Sequence, residues 1–289
     1  MVSRVGKLKS GEIVCLNGKF VLADQAVIPA FEPGVLYGWG LFETLRSYNG
    51  RIVYFDAHLR RLQSSCRLLN MIVPFSLSGL KEIVRKTVAV NGLKDASVRL
   101  TVWKSTGAGS GSLVTAKEYR PFSAARYKQG FACLVSGLRQ NENLFLTRLK
   151  TANYLLCQLS YLQAGAKGFD EAIILNNRGD VCEASRSNIF LVKDRGIFTP
   201  ALGCGCLDGI TRKAVFDLAR KSGMKIYEAR FRAQDLYNSD ELFLTNSLMG
   251  IMPLTRIEKK RIKSGPVTGF LMRQYSRLLY GSGKAKTSL

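Results

Sequence analysis

Five stretches of the chain bring together residue types able to do chemistry. In RLKTANYLL, Lys150 has apolar neighbours in Leu149, Tyr154 and Leu155, with Arg148 adjacent. A lysine becomes a nucleophile or base when burial or a nearby cation lowers its pKa. Otherwise it is a solvated surface group, and the residues alone leave both open. In GDVCEASRSNIFLV, Glu183 lies between Val181-Cys182 and a serine-rich turn. A buried carboxylate needs a partner, and a protonated ring nitrogen is one. A turn glutamate that caps local N–H groups is the alternative.

Leu207-Asp208-Gly209-Ile210-Thr211-Arg212 reads as a glycine ahead of a first helical turn. Backbone N–H groups at Ile210 and Thr211, with the Thr211 hydroxyl, suit a phosphate. A loop capped by Asp208 or Thr211 would look the same. At Phe243–Leu248 a strand ends in Thr245, Asn246 and Ser247, either a second donor set or an ordinary turn. In His58-Leu59-Arg60-Arg61-Leu62, Arg61 falls one helical turn after His58. It could fork onto phosphate oxygens, or belong to a basic helix face.

Strands and helices must hold these groups. Asn17-Gly18 and Asn49-Gly50 each divide two apolar runs, the signature of a tight hairpin. Strands are expected at 13–16, 19–22, 41–47 and 51–55. Asp56 can cap a helix in which Leu59, Leu62, Cys66 and Leu69 recur at helical spacing. A second helix is expected over 78–90 and a strand over 97–103. The glycine- and serine-rich segment 105–112 and the polar stretch to 129 suggest a domain boundary. Beyond it the pattern gives strands at 131–136, 171–175, 188–192 and 241–245. Helices are expected at 153–165, 211–221 and 268–280, with a disordered tail, GSGKAKTSL. Mixed elements in two halves point to α+β architecture.

At 289 residues, 46% hydrophobic and 22% charged, the chain can bury a full core. No apolar run reaches the roughly 20 residues needed to span a bilayer. The opening MVSRVGKLKSGEIV lacks a signal-peptide stretch, so a cytoplasmic protein is expected. Seven scattered cysteines read as reduced, mostly buried thiols. With His58 the one histidine, a Cys/His metal site has too few ligands, and no metal is expected. The net charge of +22 attracts polyanions. Its spread along the chain, without a basic block, favours a small anionic substrate over nucleic acid.

Taken together and in this order, GWGLFETLRSYNGRIVYFDAHLRRL, RLKTANYL, GDVCEASRSNIFLV, LDGITR and FLTNSLMGIMPL resemble the class IV aminotransferase family of pyridoxal-phosphate (PLP) enzymes. The resemblance runs from about residue 12 to 280. It implies two α/β domains, 1–125 and 126–289, with the cofactor between them and Lys150 in the second. It implies a homodimer. By the same resemblance Lys150 carries the cofactor covalently and Glu183 pairs with its ring nitrogen. Arg61, the backbone at Ile210 and Thr211, Asn246 and Ser247 serve its phosphate, and Tyr154 borders it. FLTNSLMGIMPL and Thr44 of FETLR resemble the branch that converts 4-amino-4-deoxychorismate to 4-aminobenzoate and pyruvate. The alternative is amino transfer from D- or branched-chain amino acids to a 2-oxo acid. Two departures touch the substrate. Trp39 replaces an acidic residue common in the GxG before this strand, and KSTGAGSGS, residues 104–112, lacks an arginine that would hold a carboxylate. Lys104 could substitute for it.

Overall fold

The computed structural model describes residues 11–107 and 109–280. The expectation for the tail, 281–289, lies outside the described residues. Fifteen strands are described: β1 Ile13–Leu16, β2 Lys19–Leu22, β3 Gly40–Tyr48, β4 Arg51–Ile52, β5 Ala96–Lys104, β6 Ser110–Glu118, β7 Phe131–Gln140, β8 Glu171–Asn176, β9 Val181–Ala184, β10 Asn188–Lys193, β11 Gly196–Pro200, β12 Ile226–Ala229, β13 Glu241–Asn246, β14 Gly250–Ile257 and β15 Lys260–Arg261. The α-helices are α1 Pro33–Leu36, α2 Phe55–Leu68, α3 Leu77–Val90, α4 Ala124–Gln129, α5 Leu155–Ala166, α6 Ile210–Lys221, α7 Ala233–Tyr237 and α8 Pro266–Tyr280. The chain divides into two compact units. One holds the described residues up to Arg120 together with Leu149–Asn153. The other holds Pro121–Arg148 and the chain from Tyr154 onward.

The N-terminal unit is built on a six-stranded sheet in the order β2-β1-β6-β5-β3-β4. Both Asn-Gly hairpins form as the sequence requires. Asn17 and Gly18 have φ of 49° and 82°, and Asn49 and Gly50 have 47° and 78°. Two consecutive residues at positive φ give the tight turn whose twist matches the strands. Along β5, Val98, Leu100 and Val102 are buried while Arg99 is exposed. The buried face meets α2 and α3. Leu59, Leu62 and Cys66 of α2 are buried, as are Leu80, Val84 and Val88 of α3. Burying each such aliphatic side chain contributes roughly 1.5–3 kcal/mol.

Two expectations need correction here. The strand expected at 51–55 stops at Ile52, because Tyr54 turns to left-handed backbone (φ 50°) and α2 starts at Phe55. Asp56 therefore does not cap α2. It lies inside the first turn and pairs with Lys81 at 2.5 Å. The units part at Arg120–Pro121, within the stretch expected to hold a boundary, while the earlier part of that stretch forms β6, paired in continuous register with β5 from Ser110 to Glu118. Cross-strand pairing overrides the weak strand propensity of glycine and serine.

In the C-terminal unit a nine-stranded sheet follows the order β12-β11-β10-β13-β14-β7-β8-β9, with β15 paired to β14. Two parallel crossovers build it: α5 links β7 to β8, and α6 links β11 to β12. One face packs a core that includes Ile173, Ile189, Leu242, Leu244, Met252 and Leu254. On the other, Phe190 stacks on Phe243 at 4.8 Å and meets Phe216 of α6 edge-on.

Candidate active site

Lys150 enters the N-terminal unit on a five-residue visit, Leu149–Asn153. The amide of Phe42 donates to the carbonyl of Lys150 at 2.9 Å, and that of Ala152 donates to Gly40 at 2.8 Å. Leu41 and Thr151 form the bridge between them. The lysine is thus mounted as an extra strand on β3, with its ammonium 4.4 Å from the centroid of the Phe42 ring. This corrects the expected division at residue 125, which put Lys150 with the C-terminal half. Its pairing partners on β3 lie about a hundred residues earlier, and no local pattern announces them.

Glu43 sits next to Phe42 on β3 and points to the helix side, 1% exposed. Both Glu43 oxygens are gripped by Arg61 of α2, through Nε at 2.8 Å and Nη2 at 2.6 Å. Nδ1 of His58 lies 2.7 Å from Oε2 of the same carboxylate. Burial alone would push Glu43 up; Arg61 and the hydrogen bonds win and hold it down at about 2. For His58, burial outweighs the attraction of Glu43, so the imidazole is pushed below its ordinary pKa. Arg61 is therefore fixed by a bidentate ion pair, and any phosphate contact must be made from that position. Glu43 and His58 escaped the sequence reading. Their signal was parity: Glu43 shares the inward register of Leu41 and Leu45, and His58 adjoins the Leu59–Leu62 stripe.

The two expected substrate contacts separate. The register pairs Thr44 with Arg99 and Gly40 with Trp103. Alternate residues Arg99, Thr101 and Trp103 therefore share the face of Thr44, and Lys104 leaves the sheet on the other. Thr44 and Lys104, each expected at the substrate, thus stand on opposite faces of the sheet. The cation on the correct face is Arg99, whose guanidinium carbon lies 3.7 Å from the centroid of the Phe42 ring. Phe42 thus has Lys150 and Arg99 as neighbours on one ring.

In the C-terminal unit Glu183, on β9, accepts hydrogen bonds at Oε2 from the Leu207 amide at 3.2 Å and from Asn188 at 3.4 Å. Asn188 also donates to the Leu207 carbonyl at 2.8 Å. The carboxylate is tied to the turn that opens α6. Gly209 ends that turn for a reason other than the one expected. A Cβ there would overlap Oδ1 of Asn188, so the glycine admits a neighbouring side chain rather than a ligand. No side chain among the described residues caps α6, which leaves its first N–H groups, at Ile210 and Thr211, to another acceptor. Arg212 braces the turn through Asp208 at 3.3 Å and Glu228 at 2.7 Å.

At the end of β13, Asn246 accepts from the amides of Leu248 and Met249 and donates to Arg186. Its carboxamide oxygen and one N–H thus shape the loop. Ser247 stands at the tip of that turn, and the Oγ1 of buried Thr245 has no hydrogen-bond partner among the described residues. Tyr154 donates to the Ser185 carbonyl at 2.6 Å, and burial pushes its phenol well above the ordinary value. The same turn is held from below by Glu171. That residue is 3% exposed and accepts from the Ser185 and Ser187 hydroxyls. Burial raises its pKa despite those bonds. Among the described residues no His, Cys, Asp and Glu cluster could hold a metal.

The N-terminal unit thus presents an amine beside a ring, and the C-terminal unit presents a helix start and a tethered carboxylate. A model of the family "Amino-transferase class IV" matches residues 40–257. A putative branched-chain-amino-acid aminotransferase of Methanocaldococcus jannaschii is 35% identical over 88% of this chain and 91% of its own. The aminodeoxychorismate lyase of Bacillus subtilis is 30% identical over 92% and 94%. Among solved structures, the branched-chain aminotransferase of Thermoproteus uzoniensis superposes with a TM-score of 0.87 at 28% identity, covering 94% of this chain and 96% of that one. The chain belongs to the class IV aminotransferase family and is a PLP enzyme of α+β fold. A further branched-chain aminotransferase, solved with pyridoxamine 5'-phosphate, matches at a TM-score of 0.87 and 27% identity, over 93% of this chain and 94% of that one.

Proposed function

We propose that this enzyme is an aminotransferase that moves the amino group of a branched-chain or D-amino acid to a 2-oxo acid. The observation that carries the reading is Phe42, whose ring neighbours both the Lys150 ammonium and the Arg99 guanidinium. A carboxylate bound by Arg99 would set the neighbouring α-carbon beside the lysine. The 4-amino-4-deoxychorismate reading offered Lys104, or another cation, for that carboxylate, and Lys104 lies on the opposite face from Thr44. The amino-acid enzymes among its relatives support the same choice.

Lys150 would hold the cofactor covalently, Glu183 would take its ring nitrogen, and the Ile210 and Thr211 N–H groups with Thr211 and Ser247 hydroxyls would take its phosphate. Arg61 would add charge from its seat on Glu43, and Tyr154 would border the ring. When bound, PLP supplies an electron sink for the pair left at the substrate α-carbon. Lys150 would lift the α-proton and return it on the acceptor side. Glu183, as a carboxylate, would keep the ring nitrogen protonated. Thr44 would line the substrate side. The exposed Leu155, Leu159 and Leu162 on α5 fall at i, i+4 and i+7 and support a homodimer. No helix among the described residues is long and apolar enough to cross a membrane, in keeping with the proposed cytoplasmic location.

The deciding assay offers purified, PLP-loaded protein two reactions. Leucine or D-alanine with 2-oxoglutarate should yield glutamate and the matching oxo acid. 4-amino-4-deoxychorismate alone should yield no 4-aminobenzoate. The reverse result would transfer the enzyme to the lyase branch.

A further inference from the structure

We propose that the C-terminal unit carries a second small-molecule site, for a planar aromatic anion, in the cleft over β10, β11 and β12. The register sets Leu191, Phe198 and Tyr227 side by side on one face. Phe198 and Tyr227 are stacked, with centroids 5.5 Å apart and planes at 27°. Tyr227 is 47% exposed, so its ring lies open to solvent. One step along the same face, Gly196 stands opposite Lys193. A Cβ at Gly196 would come within 2.8 Å of the Phe198 ring, so the glycine lets that ring lie against the sheet. Phe231 and Met224 add apolar wall, and the cleft encloses about 940 Å³. That volume falls within the small-ligand range of roughly 300–1,000 Å³. None of the residues assigned to the cofactor lines it.

The occupant follows from the lining. The exposed Tyr227 ring, backed by the half-buried Phe198 ring, offers a planar surface to another ring. Around them stand Lys193, Arg195, Lys225 and Arg230, against two carboxylates, Asp194 and Asp235. Asp235 already accepts from the Arg232 amide at 2.7 Å. β12 is an edge strand, and lysines at an edge guard against unwanted strand pairing. That duty explains basic residues along the edge. It does not explain an exposed Tyr227 ring stacked on Phe198 in the middle of the same cleft. A flat ring bearing a carboxylate or sulfonate meets both features, the ring on Phe198 and Tyr227 and the anion on the cationic rim.

The two tryptophans of the chain are Trp39 and Trp103, both in the N-terminal unit. A Tyr227→Trp variant therefore puts a local reporter in the cleft and keeps the platform. In the holoenzyme, 1-naphthoate should quench this tryptophan saturably, about tenfold more tightly than neutral 1-naphthalenemethanol. Adding Lys225→Glu and Arg230→Glu should remove that preference and leave turnover unchanged. Saturation-transfer NMR on the unsubstituted protein should rank the two probes the same way. Absence of saturable quenching, equal affinity for acid and alcohol, or indifference to the charge reversal would overturn the proposal.

Discussion

Two buried glutamates brace the residues assigned to chemistry, one in each unit. Glu43 lies among cations: Arg61 grips both oxygens, and the carboxylate stays charged down to a pKa of about 2. Glu171 lies among hydroxyls and amides and is pushed the other way by burial. Both are near-fully enclosed, so depth alone does not set their state. The partner does. A fork of two charge-assisted bonds offsets desolvation and fixes direction, as suits a group that must aim a guanidinium. Hydroxyl donors are weaker, and leave a carboxyl whose work is to hold the turn at Ser185 in shape.

The sharpest test asks whether either brace matters beside the lysine between Leu149 and Thr151. Lys150→Ala should abolish turnover while circular dichroism shows an intact fold, and normal turnover would sink the assignment. Next, Glu183→Ala should still bind PLP, seen by its visible absorption, yet slow turnover by about a hundredfold, in the range lost with a preorganised electrostatic group. An unimpaired rate would remove Glu183 from the mechanism. Third, Glu43→Gln should destabilise the protein by about 3–5 kcal/mol in urea, because Arg61 loses its counter-charge in a mostly buried place. Glu171→Gln should cost only about 1 kcal/mol, since no ion pair is broken. Equal costs would erase the contrast.

The smallest effect is one of sign in pH. Glu43 has a folded pKa below its unfolded value, so its stabilisation is complete above about pH 4.5 and is lost as pH falls toward about 2. Glu171 has its folded pKa raised. Its contribution is complete below about pH 4.5 and fades as pH climbs through the raised value. Glu43→Gln should flatten the acid limb of a stability–pH curve, and Glu171→Gln the limb above it. A shared limb would show that the two carboxylates share one state after all.

Local chemistry made parts of the fold legible. Both Asn-Gly turns and the stripes of α2 and α3 follow from residues within a few positions of one another. β6 was hidden because Gly111 and its serine neighbours become a strand only through the register with β5. The family was legible as an order of motifs around Lys150, Glu183 and Thr211. The supports of the candidate site were not, because each is a pairing across distance. Arg99 gains meaning only when β5 is laid against β3, and Gly209 only when Asn188 fills the space above it. Asn246 shows the same dependence, since the amides that its oxygen accepts from belong to a turn formed only after β13 is in place.

The five-residue visit that carries Lys150 has a consequence for how the chain can be cut. A break near residue 120 follows the outline of the N-terminal sheet, yet it would leave that piece without its lysine. The other piece would hold the lysine and lack Gly40–Phe42, against which it is laid. On the role proposed for Lys150, neither half would be reactive alone, and mixing them would restore a reactive amine only if the loose strand found its berth again. In genetic terms the polypeptide is a single stitch drawn through two pieces of cloth. On that proposal a severed gene would recover by reassembly rather than by the activity of one fragment.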